Sequence, residues 1–412
     1  MNILFLADIV LFPPNTGIKI RTYNILRELH NGGENRVYLL CFNHRILIPT
    51  EEELKRCREA LKEFCEEVHI FDIPSDASRL SYYGCLIRNL FQRVPYRVAR
   101  YESAELRACI SDLMKRANID LVHMDKTEFY SYAPLMTGKA IVCTNHNVES
   151  LLMKRRAQYE KTLARRFFAY LQYRRTERFE RRALSATSAY VTCTALDRDH
   201  FQKQMGIRTR SEVLDNGVDL KSYPRSEVVG SNYVLIIGAQ SREATANFDA
   251  TWFFIDSIWP RLLEECPTIR LKIVGRDPDV SVRALSQKYA NIDVVGFVPD
   301  ERELLGRTAA LLVPLRVGGG SRLKILTAMG MGRVVVSTSV GAEGIDCTDG
   351  VDAFIADDPA VFADMVAKVF TDAECQRTVG SAARALMERQ YDWSMIGARA
   401  RKFYSEVVRE RN

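Results

Sequence analysis

The chain has 412 residues, 47% of them hydrophobic, and a formal net charge of +6. That is more than one hydrophobic core ordinarily holds, so a globular protein of two domains is expected, and so mild a charge excess matters less than where it is concentrated. Ten cysteines are scattered with no CxxC pair, which excludes a metal framework and points to reduced thiols of a cytoplasmic protein.

Residues Asn2 to Phe12 are apolar but short, interrupted by Asp8 and stopped by Pro13-Pro14. The stretch is therefore expected to be a buried first strand (Asn2 to Ala7), not a signal peptide or a membrane span, and no other run reaches spanning length. The loop Leu11 to Gly17 turns into a helix over Lys19–Leu29, followed by a strand over Arg36–Phe42. That strand-loop-helix-strand opening puts Gly17 at the carboxyl edge of a sheet, where open α/β sheets bind ligands. A helix is expected over Glu51–Glu67, a short strand over His69–Ile73, and an irregular Arg-, Tyr- and Leu-rich segment over Leu80–Leu106. Ile119–Met124 and Ala140–Thr144 read as buried strands. His123 and His146 end them, at the edge where a polar side chain can reach a ligand. A hydrogen-bonded structural histidine is the competing reading for each, and no third residue at triad spacing supports a hydrolase.

From Ser150 to Ala183 a single long helix is expected, with Leu152, Tyr159, Leu163, Phe167 and Tyr170 on one stripe. Eleven cations between Lys154 and Arg182 face only Glu160, Glu177 and Glu180. Such a basic face beside aromatics suits an anionic membrane surface, with a solvated helix face as the alternative; no recognised nucleic-acid module accompanies the charge. Tyr190–Thr194 is a further strand, Val213–Asp219 a turn-rich crossing and Pro224–Ser231 a linker. A second α/β unit then opens with strand Tyr233–Ile237, running into Gly238 and Arg242, and continues with helix Ala246–Glu264, strand Leu271–Val274, and Val294–Val298 before an acidic helix start at Asp300.

The most informative stretch is Val313 to Ile345. An apolar run over Ala309–Leu315 leads into Gly318, Gly319, Gly320 and Ser321, then Leu323, Ile325, Leu326 and Met329 fall at helical spacing, and Val334–Val336 is the next strand. Glycines let backbone approach a ligand, and the free amides and positive dipole end of the following helix suit a diphosphate. Arg322 and Lys324 add positive charge there. A tight turn with no ligand is the bland alternative. A second glycine turn, Gly341 to Gly344, follows the strand, and Trp393–Val408 is an amphipathic helix available to brace the two halves.

Taken in order, the Gly17 loop, TNHNVES around His146, DNGVD, the IVGR strand end, GFVPD, and PLRVGGGSRLKIL with STSVGAEGI resemble the GT-B fold of nucleotide-sugar glycosyltransferases of family 4, among them bacterial exopolysaccharide-associated sugar transferases. The resemblance covers nearly the whole chain. It implies an α/β architecture of two Rossmann-like, doubly wound domains facing a central cleft: residues 1–218 on the acceptor side, residues 219–392 binding the donor, and residues 393–412 returning towards the first domain. It further implies His146 as catalytic residue facing the donor sugar, and Gly17, Arg242, Gly319, Gly320, Ser321, Arg322, Lys324, Thr327 and Glu343 as donor-binding residues. The activity implied is hexosyl transfer with retention of configuration, from a nucleoside-diphosphate sugar to a glycan, lipid-linked or protein acceptor. No metal and no resident cofactor are expected, since loop amides and cations would stabilise the leaving diphosphate and no DxD dyad stands at a strand end. The expected location is cytoplasmic, at the inner face of the cell membrane through the Lys154–Arg182 segment. Many relatives carry Glu-x7-Glu where this chain has Gly319 and Thr327. The alternative reading is therefore a catalytically silent GT-B protein that binds a nucleotide or a partner transferase.

Overall fold

The computed structural model describes residues 1–159, 162–226, 231–317 and 323–411. Two compact units emerge: residues 1–215 together with 396–412, and residues 216–395.

The first unit alternates strands and helices. In chain order these are β1 (Asn2–Ala7), α1 (Gly17–His30), β2 (Arg36–Asn43), α2 (Glu51–Leu61), β3 (Glu67–Asp72), α3 (Arg79–Phe91), α4 (Tyr96–Arg100), α5 (Ala104–Arg116), β4 (Leu121–Met124), β5 (Ala140–Asn145), α6 (Glu149–Tyr159), α7 (Leu163–Ala186), β6 (Ala189–Thr192), α8 (Ala195–Asp199) and β7 (Arg210–Val213). Among the described residues the strands form one parallel sheet in the order β3-β2-β1-β4-β5-β6-β7. Strands β4 and β5 are buried along their whole length, as expected where helices cover both faces of a parallel sheet. The sheet reverses direction between β1 and β4, which pair in parallel from Ile3 with Leu121 to Leu6 with Met124.

The second unit comprises β8 (Tyr233–Ile237), α9 (Thr245–Phe253), α10 (Trp259–Glu265), β9 (Arg270–Val274), α11 (Val280–Arg283), α12 (Leu285–Lys288), β10 (Ile292–Gly296), α13 (Arg302–Arg307), β11 (Ala310–Val313), α14 (Leu323–Gly330), β12 (Val334–Ser337), β13 (Phe354–Ile355), α15 (Pro359–Thr371), α16 (Ala373–Leu386) and the start of α17 (Trp393–Arg411). Its parallel sheet has the order β10-β9-β8-β11-β12-β13 and reverses between β8 and β11. From Ile396 onwards α17 belongs with the first unit. There Arg401 donates to the Glu28 carbonyl at 2.5 Å and Arg399 to the Val213 carbonyl at 2.6 Å.

Several expected elements differ. The helix from Glu51 stops at Leu61, and the short strand expected over His69–Ile73 is found at Glu67–Asp72, an edge strand paired with β2; the polar Glu67 at its start read as the end of the helix. The segment 80–106 is largely helical, carrying α3, α4 and the start of α5. Leu80, Tyr83, Ile87 and Phe91 stand there at helical spacing, a periodicity that the reading of the segment as irregular passed over, and the residues α3 buries are Cys85 and Asn89. The long helix expected over 150–183 is two helices that pack on each other, the second entered through Thr162 in extended conformation. Its expected stripe is not buried: Leu152, Leu163, Phe167 and Tyr170 are exposed, while Glu160, Lys161 and the Tyr159 side chain lie outside the described residues. The strand expected at 294–298 runs instead over β10 and ends where Gly296 adopts a φ of 79°. Residues 227–230 of the expected linker also lie outside the described residues.

Candidate functional site

In an open parallel sheet the crevice for a ligand lies beyond the carboxyl ends of the strands, where strand order reverses. In the first unit β1 runs there into Asp8, and β4 into Asp125 and Lys126. Lys126 Nζ lies 2.6 Å from Asp8 Oδ2, joining the two strand ends. Asp125 is buried and accepts from Thr22 Oγ1 of α1 at 2.8 Å. His146, directly after β5, brings Nε2 to 3.1 Å from the same Oδ2. Geometrically this is a close ion pair rather than an aligned hydrogen bond, since Nε2 finds no hydrogen-bond acceptor. His123 Nε2 stands 3.6 Å from Oδ1, its Nδ1 2.7 Å from the Tyr404 hydroxyl, and its ring stacks on Phe5 at 4.0 Å.

Three buried titratable groups therefore share one site, and their environments divide them. Burial alone would discharge His146, but Asp125 outweighs it and pushes the imidazole up to about 10. Burial alone would likewise raise Asp125, yet the same two histidines hold it well below the ordinary carboxylate range. His123 goes the other way: burial lowers it, and Asp125 only partly offsets that. At neutral pH the cluster holds an imidazolium, a carboxylate and a neutral imidazole. The His146 ring can donate and carry positive charge, and it cannot act as a general base in that state.

Beside this cluster Arg97 bridges Glu128 (2.8 Å) and Glu149 (2.6 Å). The Glu180 carboxylate accepts from the Glu149 amide at 2.9 Å, at the amino end of α6, and burial pushes its pKa up to about 8. Gly17 is the first residue of α1 and is exposed; Thr16 before it makes no side-chain cap.

In the second unit the reversal point lies between β8 and β11. Residues 318–322, which include Gly319, Gly320, Ser321 and Arg322, lie outside the described residues. Lys324, on the first turn of α14, places its ammonium 2.7 Å from the Ile237 carbonyl at the end of β8 and 3.2 Å from Asn247 Oδ1. A positive charge is thus held at the point where the strand order reverses. The packing leaves no room for side chains here: a Cβ on Gly275 would overlap the Gly238 carbonyl, and one on Gly238 would meet Asn247 at 2.6 Å. Thr327 lies one turn further along α14, and its hydroxyl donates to the Lys324 carbonyl at 3.0 Å. Glu301 enters the same electrostatic environment; burial and Asp300 raise its pKa while Lys324 opposes them. Arg242, in the loop after β8, is exposed and paired with Asp279 at 2.9 Å. Glu343 is exposed, two residues beyond Gly341, whose amide donates to Thr338 Oγ1 at 3.0 Å.

The structure therefore brings Lys324 and Thr327 together with Asn247 and Glu301 at one sheet edge, and His146 together with Asp125, Thr22 and His123 at the other. Arg242 is turned instead to Asp279, and Glu343 stands in the turn after β12. Asp125 and Lys126 are absent from the residues singled out by sequence. They follow directly on β4, so the strand-end position that marks His146 marks them equally.

Comparisons with known proteins bear on this geometry. A family model described as "Glycosyl transferases group 1" matches residues 231–372, and one described as "Glycosyltransferase Family 4" matches residues 16–222. A Klebsiella pneumoniae protein described as "Uncharacterized 44.6 kDa protein in cps region" is 24% identical over 171 residues, a match that spans 40% of this chain and 42% of that relative. Among solved structures, Anabaena Alr3699/HepE in complex with UDP superposes with a TM-score of 0.65 at 15% identity over 98% of this chain and 100% of that one. Sucrose-phosphate synthase from Thermosynechococcus elongatus gives 0.65 at 13% identity over 100% of each chain, and a Rickettsia africae glycosyltransferase 0.66 at 12% identity over 99% and 98%. At such identities the likeness concerns the fold.

Proposed function

The chain belongs to Glycosyltransferase Family 4, with the GT-B pair of Rossmann-like units, and from that premise we propose that it transfers a hexosyl group from a nucleoside-diphosphate sugar. The observation that carries this reading is the Lys324 ammonium held at the reversal point of the second sheet, on the helix that follows the glycine loop. A diphosphate there meets the helix's free amides, its positive dipole end and a fixed cation. When the bond from the sugar's anomeric carbon to the diphosphate breaks, the acceptor hydroxyl oxygen bonds to that carbon and its proton passes to the leaving diphosphate oxygen, whose growing charge is stabilised by Lys324, Arg322 and the amides near Ser321. From the family resemblance we further propose retention of configuration and metal-independent chemistry, with the nucleotide sugar as co-substrate and no resident cofactor. Complexes of Alr3699/HepE with UDP and UDP-glucose favour uridine as the nucleoside.

Gly17 at the open start of α1 and the His146 imidazolium belong to the acceptor-side unit, with His146 donating to the donor sugar. Arg242 and Glu343 complete the donor set proposed from the family pattern. The acceptor is a glycan, a lipid-linked sugar or a protein, and the cps-region relative favours a surface polysaccharide precursor. Among the described residues no helix is long and apolar enough to cross a membrane. Exposed Leu163, Phe167 and Tyr170 on α7, interspersed with Arg165, Arg166 and Arg174, support peripheral attachment to an anionic inner membrane face.

One observation favours the silent-protein reading. Thr327 stands where many relatives have a glutamate, and its hydroxyl is engaged by its own helix. Hydrolysis of UDP-sugars by the purified chain, measured as UDP release, decides between the two. Release with a preferred sugar supports a transferase; UDP binding without release from any donor supports a silent GT-B protein.

A further inference from the structure

An ordinary surface helix buries its apolar side chains and exposes its polar ones. Helix α3 does the reverse. Leu80, Tyr83, Ile87 and Phe91 recur at three- and four-residue spacing, hence on one face, and that face is outward: Leu80 is 86% exposed, Ile87 60% and Phe91 87%. What fastens α3 to the unit is polar. Gln172 of α7 donates to Asn89 Oδ1 at 3.1 Å, Arg175 to the Asn89 carbonyl at 2.6 Å, and Asn89 itself to the Val94 carbonyl at 3.0 Å.

At the amino end of α3, beside the carboxyl ends of β2 and β3, lies a cavity of about 740 Å³. Tyr82, Tyr83 and Tyr96 line it together with Arg45, Arg79 and Arg100. Tyr82 packs edge-on against both other rings, at 5.4 and 6.4 Å. The Tyr96 ring lines the cavity while its hydroxyl is buried behind it without a hydrogen-bond partner. Arg45 is paired with Asp72 and Arg100 with Asp76, each at 2.6 Å, while Arg79 makes no ion pair among the described residues. Asp76 also lines the cavity, so three arginines face one lining carboxylate, and Arg79 is the cation left for a ligand. The amino end of the thirteen-residue α3 adds its dipole, so the cavity is suited to an anion.

We propose that this cavity binds the acceptor, and that the acceptor is a phosphorylated amphiphile: its anionic head lies among Arg79 and the tyrosines, and its apolar tail lies along Leu80, Tyr83, Ile87 and Phe91. The apolar stripe begins at the mouth of the cavity, as the continuity of such a ligand requires. A polar glycan leaves that stripe uncovered, and an acidic protein segment has no use for an apolar track running the length of the helix. The proposal rests on the transferase reading and narrows its acceptor class.

The test titrates the full chain calorimetrically with monomeric octyl and decyl phosphate, with inorganic phosphate, and with octyl glucoside. Alkyl phosphates bind, and each added methylene tightens binding by about two- to fourfold; octyl glucoside binds more weakly and inorganic phosphate not measurably. Arg79→Glu weakens decyl phosphate at least about tenfold, because a charge-assisted hydrogen bond is replaced by a repulsion. Ile87→Asn, at an exposed position that the fold does not depend on, flattens the chain-length dependence. Inorganic phosphate binding as tightly as decyl phosphate, no chain-length dependence, or equal affinity in wild type and Arg79→Glu each overturns the proposal. UDP-sugar hydrolysis by the same wild-type preparation keeps the two readings apart: hydrolysis without alkyl-phosphate binding sinks this site alone, and alkyl-phosphate binding without hydrolysis sinks the transferase reading.

Discussion

Replacing His146 by alanine removes the cation from a buried pair and leaves the Asp125 carboxylate without its main counter-charge. Breaking such a pair from one side costs about 3–5 kcal/mol. Asp125 keeps the Thr22 hydroxyl at 2.8 Å and His123 at 3.6 Å, which favours the lower end. The same pairing lifts the imidazole from 6.5 to about 10, so the folded state favours its charged form. For a unit of this size the midpoint of thermal unfolding should fall on the order of 10 °C. The pH dependence carries a definite sign. His146 is raised in the folded state, so its contribution is complete below 6.5 and is lost as pH rises towards about 10; the wild type should lose its advantage over His146→Ala across that window. Unfolding followed by circular dichroism from pH 6 to 10 reads both effects. The double substitution His146→Ala with Asp125→Asn should recover most of the loss, because it removes the stranded charge. An unchanged midpoint at pH 7, or a difference between the proteins that is flat with pH, would refute the buried pair. If His146 also contacts the donor sugar, UDP release per folded molecule falls in His146→Ala by more than the unfolded fraction explains.

The donor site offers two further checks. Lys324→Met should weaken UDP binding by roughly ten- to a hundredfold, the loss of a charged hydrogen bond of about 1.5–3 kcal/mol, while Arg322→Ala should weaken it in the same direction; calorimetry showing unchanged affinity for both removes the diphosphate assignment. Thr327→Glu should tighten UDP binding by a similar factor if the ribose faces that turn of α14, and weaker binding would mean that this pocket holds ribose differently. On the first unit, Arg165, Arg166 and Arg174 reversed to Glu should release the chain from anionic vesicles in a sedimentation assay, as should added salt on the wild type. Arg175 is left intact because it holds α3 through the Asn89 and Leu90 carbonyls. Wild-type protein that ignores such vesicles at low salt would reduce the basic segment to a solvated face.

Local chemistry made much of this molecule legible. The runs Ile3–Ala7 and Val334–Val336 read as buried strands, because continuous apolar stretches fit between two layers of helices. Polar residues directly after such runs, His146 among them, marked the sheet edges, and the glycines before α14 marked a helix start open to an anion. What local pattern could not carry is anything that depends on which distant residue arrives opposite. The His123 ring meets Tyr404 from 281 positions away, and Arg21 donates to the Leu214 carbonyl at 2.7 Å across 193. Asp125 becomes a counter-ion only because β1, β4 and β5 are neighbours in the sheet, so that Thr22, His123 and His146 converge on one carboxylate. The same holds for the surface. Leu163, Phe167 and Tyr170 on α7 read as a packing stripe in the sequence, since hydrophobicity alone says that a side chain prefers to leave water and not whether the fold supplies a partner. The tertiary structure fastens α3 to α7 through Gln172, Arg175 and Asn89 and leaves the apolar faces of both outward, and it is this inversion that turns a stretch read as irregular into a candidate acceptor track.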